Sequence, residues 1–185
     1  MSAKQLKYLR QYADELGELG VAAFCVKHRA AVLLGTGMRG RVSDRPPSWS
    51  RRTLGAEEMA DLERFRSVLD RVWPIRKAAG TKWGSITLGQ SMEADVLVTE
   101  YTVSTKHCAF GFEGYSMTVT DLGSLNGTHV NGVRLTPQES VVLRDGDELR
   151  FGRVMCRYMS AASFVAMTEV LAAAAAVAAA DAAAA

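Results

Sequence analysis

The spacing of apolar residues divides the chain into helical and extended stretches. Over residues 3–19 apolar side chains recur at Leu6, Leu9, Ala13, Leu16 and Leu19, close to the helical period, and Gly20 supplies a stop. Val21–Leu34 is apolar apart from Lys27, His28 and Arg29. It fits either two short strands or a helix followed by a strand, and periodicity leaves both open. Met38–Arg52, with Pro46, Pro47, three serines and five arginines, reads as a loop. A short helix fits Ala56–Arg66, where Met59 and Leu62 share a face with Phe65 or Arg66.

From Val68 onward the period becomes two. Ile86 and Leu88 alternate with Ser85 and Thr87; Cys108, Phe110 and Phe112 share one face; Tyr115, Met117 and Val119 alternate with Ser116, Thr118 and Thr120; Val154, Cys156 and Tyr158 repeat the pattern. Glu113-Gly114, Leu122-Gly123-Ser124, Asn131-Gly132 and Asp145-Gly146-Asp147 punctuate these runs, and Asn-Gly and Asp-Gly favour the positive φ of tight hairpins. Short strands at regular intervals without intervening helices predict a mainly β fold of sandwich or barrel type. Ser160–Leu171 returns to helical composition, and residues 172–185 are alanine except for Val177 and Asp181. Alanine favours helix but buries little, so a low-complexity helical tail is expected. Glu169 and Asp181 count against a membrane span there. The chain divides into an N-terminal extension of mixed and helical character (1–66), a β-sandwich (67–160) and an Ala-rich helical tail (161–185).

Charge changes the picture little. With 22 basic and 20 acidic residues the net charge is +2, so no chain-wide attraction to nucleic acid or anionic membrane is expected. Three widely spaced cysteines (Cys25, Cys108 and Cys156) imply no disulfide framework, and Met1–Arg10 lacks the apolar run of a secretory signal, so a cytoplasmic setting is expected.

Four short motifs in order carry a more specific message. They are Leu88-Gly89-Gln90-Ser91; Ser104-Thr105-Lys106-His107; Gly123-Ser124-Leu125-Asn126-Gly127-Thr128 followed by Asn131-Gly132; and Asp145-Gly146-Asp147 before a last strand. In this order, over about half of the chain, the sequence resembles a forkhead-associated (FHA) domain. The resemblance implies an FHA-like β-sandwich whose loops at one end bind phosphothreonine in a partner peptide, the product of a Ser/Thr kinase. Ser104 would then donate its hydroxyl to the phosphate and Asn126 would hold the peptide backbone, with Thr105 and Lys106 on the same recognition loop. Gly89, His107, Gly127, Thr128 and Asn131 would be architectural. Such a pocket needs fixed donors and positive charge, because a phosphate ester brings nearly two negative charges and three acceptor oxygens.

One position departs from the pattern. Gln90 stands where the family places its phosphate-binding arginine. Glutamine keeps donors but loses the charge and the planar fork, which costs roughly tenfold in affinity. Lys106 or an arginine of the 38–52 loop would have to compensate. The alternative function is a phospho-independent interaction or scaffold protein that keeps the fold.

Sharper readings fail on context. Gly35-Thr36-Gly37-Met38-Arg39-Gly40 has dinucleotide-loop spacing, but two prolines follow where a helix is required. The arginines at 39, 41, 45, 51 and 52 read as a solvated linker. His28 and His129 lack metal-ligand spacing to any cysteine, and no nucleophile elbow or carboxylate pair occurs. The expectation is a non-enzyme without metal or cofactor.

Overall fold

A computed structural model describes residues 7–40, 56–80 and 84–184. Two sheets face each other. The first has seven strands in the order β1 (Lys7–Tyr8), β3 (Arg71–Pro74), β2 (Val32–Met38), β12 (Val154–Met159), β11 (Glu148–Phe151), β8 (Thr128–Val130) and β9 (Val133–Arg134). The second has five, ordered β10 (Ser140–Val142), β7 (Ser116–Asp121), β6 (Cys108–Glu113), β4 (Ile86–Gly89) and β5 (Val96–Leu97). Neighbours run antiparallel except β4 and β5, which are parallel. Helices α1 (Leu9–Leu19), α2 (Val21–Lys27), α3 (Ala56–Val68) and α4 (Ala161–Ala184) complete the chain.

Alternation explains which side chains meet between the sheets. Leu33, Trp73, Leu88, Cys108, Phe110, Val119, Leu149, Phe151, Val154 and Cys156 form one continuous buried cluster there. Val32, Leu34 and Val72, which alternate with Leu33 and Trp73, point to the opposite face of the first sheet. They join Tyr12, Leu16, Phe24, Met159 and Phe164 in a second core under α1, α2 and α4. Both faces of β2 are therefore covered, which is why Val32-Leu33-Leu34 is an unbroken apolar run.

The structure resolves the open reading of Val21–Leu34 as a helix followed by a strand. The first helix starts later than the period suggests, because Lys7 and Tyr8 pair with Val72 and Arg71, and the Tyr8 N–H donates to Gln11 Oε1 at 2.9 Å. Leu6 lies outside the described residues. Met38 belongs to β2 rather than to the expected loop; residues 41–52, with both prolines and Arg41, Arg45, Arg51 and Arg52, lie outside the described residues. Phe112 and Tyr115, expected on strand faces, sit at the exposed end of the β6–β7 hairpin beside Gly114.

The glycines at 35 and 37 lie inside β2, where they let α3 approach. A Cβ on Gly35 would overlap the Val68 carbonyl oxygen, and one on Gly37 would come within 2.7 Å of the Phe65 ring. The Asp70 N–H then donates to the Gly35 carbonyl at 2.9 Å, fixing the end of α3 onto the strand.

One buried acid knits the helical layer. Glu15 accepts from Lys7 Nζ at 2.9 Å and pairs with Lys27 and His28. Burial pushes its carboxyl up, but the pairing with Lys27, Lys7 and His28 outweighs this and holds it at about 2. The last helix begins at Ser160, whose Oγ accepts from the Ser163 N–H at 3.2 Å, as an N-cap does. Phe164 and Thr168 are fully buried, whereas the side chains from residue 173 to 183 are exposed. By length and composition alone, Ala161–Ala183 is long and apolar enough to cross a membrane, with mean hydropathy 1.8.

Candidate functional site

The loops that leave β4, β5 and β7 converge at one end of the sandwich, and backbone hydrogen bonds tie them together. Gln90 and Ser91 donate to the carbonyls of Ser104 and Thr105 at 3.0 and 3.3 Å. That approach requires Gly89, since a Cβ there would overlap the Thr105 carbonyl oxygen. The strand β4 thus reaches the 104–107 loop directly.

His107 joins this loop to the next. Its ring is fully buried, edge-on to Phe151 at 5.8 Å between centroids. Nδ1 accepts from the Ser104 N–H at 3.0 Å, so the ring hydrogen sits on Nε2, which donates to the Gly127 carbonyl at 3.3 Å. Burial lowers its pKa, in keeping with a neutral ring. Ser104 is half-buried, and its Oγ accepts from the Leu125 N–H at 3.0 Å. A hydroxyl that accepts in this way still carries its own proton as a donor. The exposed Asn126 donates from Nδ2 to the Thr102 carbonyl at 2.7 Å, leaving its Oδ1 directed by that anchor. Thr105 and Lys106 are exposed on the rim of the same loop.

The 121–128 loop is shaped by a residue to which the sequence reading assigned no role. Asp121 is buried and accepts five hydrogen bonds: Gly123 N–H and Ser124 N–H on Oδ1, and Ser124 Oγ, Thr128 N–H and Thr128 Oγ1 on Oδ2. Burial pushes its carboxyl up, but the donors from Ser124 and Thr128 prevail and the net shift is downward. A visible signal existed: an aspartate two and three residues before Gly-Ser is the pattern of an Asx turn. Thr128 therefore acts through Asp121. Asn131, at φ +49°, donates to Asp147 Oδ1 at 2.9 Å and accepts from the Glu148 N–H at 2.9 Å, so it braces the β8–β9 turn and does not reach the 104 loop in any of these bonds.

Gln90 is exposed and lines a cleft of about 240 Å³ with Arg64, Ser67, Arg71, Trp73, Glu100 and Tyr101. Arg64 lies over the Tyr101 ring at 5.5 Å, and Arg71 lies over the rings of Tyr8 and Trp73 at 5.7 and 5.8 Å. Glu100 Oε2 accepts from the Thr102 N–H at 2.8 Å and from the Thr102 hydroxyl. Sequence offered no route to Arg64 or Arg71, which lie on elements before the motifs begin.

Residues 86–152 match the family model described as FHA domain. The chain carries an FHA domain. Among curated proteins, the glycogen accumulation regulator GarA of Mycolicibacterium smegmatis is 42% identical over 65 residues, which is 35% of this chain and 39% of that protein. The oxoglutarate dehydrogenase inhibitor of Corynebacterium diphtheriae is 42% identical over 67 residues, covering 36% of this chain and 45% of its own. The match thus spans about two-fifths of these relatives' length. An FHA domain solved in a structural and functional analysis of phosphothreonine-dependent FHA domain interactions aligns at 27% identity over 49% of this chain and 84% of its own, with a TM-score of 0.41. The motifs quoted from Leu88 onward all fall within the FHA domain or at its edge, and α1 to α3 lie before it.

Proposed function

We propose that the FHA domain of this chain binds phosphothreonine peptides as a non-catalytic adaptor in the cytoplasm, downstream of a Ser/Thr kinase. The observation that carries this reading is the Ser104 hydroxyl. It is held by the Leu125 N–H at 3.0 Å in a loop that is itself braced by His107 and Gly89. A loop ordered on three sides presents a donor with little entropy left to lose on binding. Asn126, pinned to Thr102, presents a second polar group beside it. Three free cysteines fit a reducing compartment. Regulators such as the two relatives named above support a role in controlling another protein. No nucleic-acid or membrane partner forms part of this reading.

The test is binding of the purified chain to a threonine-phosphorylated peptide library, beside the unphosphorylated set. Phosphate-dependent capture that weakens about tenfold or more in Ser104→Ala is expected. Equal capture of both sets would instead support the phospho-independent scaffold, a reading that the uncharged Gln90 favours.

A further inference from the structure

We propose that Arg64 and Arg71 supply, from outside the FHA motifs, the positive charge that Gln90 lacks, and that the cleft they share with Gln90 holds the ligand's phosphate. The inference rests on the phosphothreonine reading and adds to it the source of the charge.

Position is the first argument. The backbone of Gln90 is bonded to that of Ser104 at 3.0 Å, so the cleft lined by Gln90 adjoins the loop carrying the phosphate-facing hydroxyl. The helix α3 precedes β3 in the chain and ends on Gly35 of β2, which sets Arg64 against Tyr101. The opposite wall of the cleft is the stretch from Val98 to Tyr101, which leads directly into Thr102 and Ser104. An inserted helix therefore brings a guanidinium to the place where the motif has none.

The state of the guanidiniums is the second. The Arg71 guanidinium lies over the rings of Tyr8 and Trp73 at 5.7 and 5.8 Å, and a cation–π contact does not itself consume the N–H donors. Its Nε is buried and has no hydrogen-bond partner among the described residues. A buried donor without a partner is costly, and an acceptor oxygen from a ligand would relieve that cost. Glu100 is the opposing charge: it lines the same cleft, and its buried Oε1 also lacks a hydrogen-bond partner among the described residues. Two guanidiniums and one carboxylate line the cleft, so arginine is its more numerous charged group.

The test uses the full chain and a threonine-phosphorylated peptide selected from a degenerate library, with its unphosphorylated form as control. Arg64→Gln and Arg71→Gln remove the charge while keeping a long polar side chain. Arg64 is exposed, so its variant is expected to fold, and a thermal melt checks Arg71→Gln, which leaves the two rings. Each variant is expected to weaken phosphopeptide binding about tenfold, with the control unchanged. Gln90→Arg should restore most of that loss, and should tighten the parent by less than it tightens Arg64→Gln, because the charges serve one phosphate. If Arg64→Gln and Arg71→Gln bind like the parent while Ser104→Ala weakens binding, the cleft is not the phosphate site and only this inference falls. If Ser104→Ala is also silent, the phosphothreonine reading falls with it. Equal losses for phosphorylated and unphosphorylated peptide, or no restoration by Gln90→Arg, would likewise overturn the assignment.

Discussion

With Nδ1 accepting from the Ser104 N–H and Nε2 donating to the Gly127 carbonyl, the His107 ring holds the two loops only in its neutral form. Removing it leaves the Ser104 N–H without this acceptor and the Gly127 carbonyl with the Gly152 N–H alone, at 3.5 Å, and it opens a void. His107→Ala should therefore cost roughly 2–4 kcal/mol in urea unfolding. Its pH dependence has a defined sign. Burial sets the folded pKa below the ordinary value of 6.5, so between the two the unfolded chain takes up a proton that the folded chain refuses. The stabilising contribution is intact above pH 6.5, declines as pH falls through that value, and levels off below the folded pKa. His28 and His129 are shifted the same way, also chiefly by burial. Urea midpoints measured from pH 7.5 down to about 5 should thus fall in the parent, and fall less steeply in His107→Gln. An identical slope in the two would mean that the ring takes up its proton as readily in the folded loops as in the unfolded chain.

At the scale of the element, α4 is two things in one helix. Its first turns dock Phe164 against Tyr12 and Phe24, with ring centroids 5.1 and 6.3 Å apart. Phe164→Ala should cost about 3–5 kcal/mol, read from the unfolding midpoint. Deleting residues 172–185 should leave the melting temperature within a few degrees, since among the described residues of that segment only Ala172 packs on the second core. Helices and strands were legible wherever the period was sustained, as in β7 and β12. They were less so in Val21–Leu34, because a strand buried on both faces shows no alternation, and its apolar run matches a buried helix as well. The start of α1 was displaced by the pairing of Lys7 and Tyr8 with β3, a contact between residues more than 60 positions apart that no local window contains.

For the molecule as a whole, the site was legible to the extent that it is sequential. Gly89, Ser104, His107 and Asn126 fall in one ordered run of motifs, and the structure gathers them at one end of the sandwich. Thr128 proved to act through Asp121, and Asn131 braces a turn away from the Ser104 bonds. The charge expected from Lys106 or the 38–52 loop has a different candidate in Arg64 and Arg71. Their relevance depends on how α3 lies on β2, and only a three-dimensional arrangement contains that information.

Gly35 sets that arrangement like a machined clearance. The missing Cβ is the gap into which the Val68 carbonyl fits, and Val68 lies one helical turn beyond Arg64. Gly35→Ala would act as a shim, lifting the end of α3 from the strand and carrying Arg64 away from Tyr101. Its cost to stability is expected at about 1–3 kcal/mol, the range for overfilling a tight contact. A phosphopeptide titration under conditions where the variant stays folded should still register it. Affinity would fall although no atom of residue 35 lines the cleft, and a double variant with Arg64→Gln should lose little more. In that sense the reach of the arginine is dimensioned by a strand glycine, and affinity is tunable there by less than the width of a methyl group.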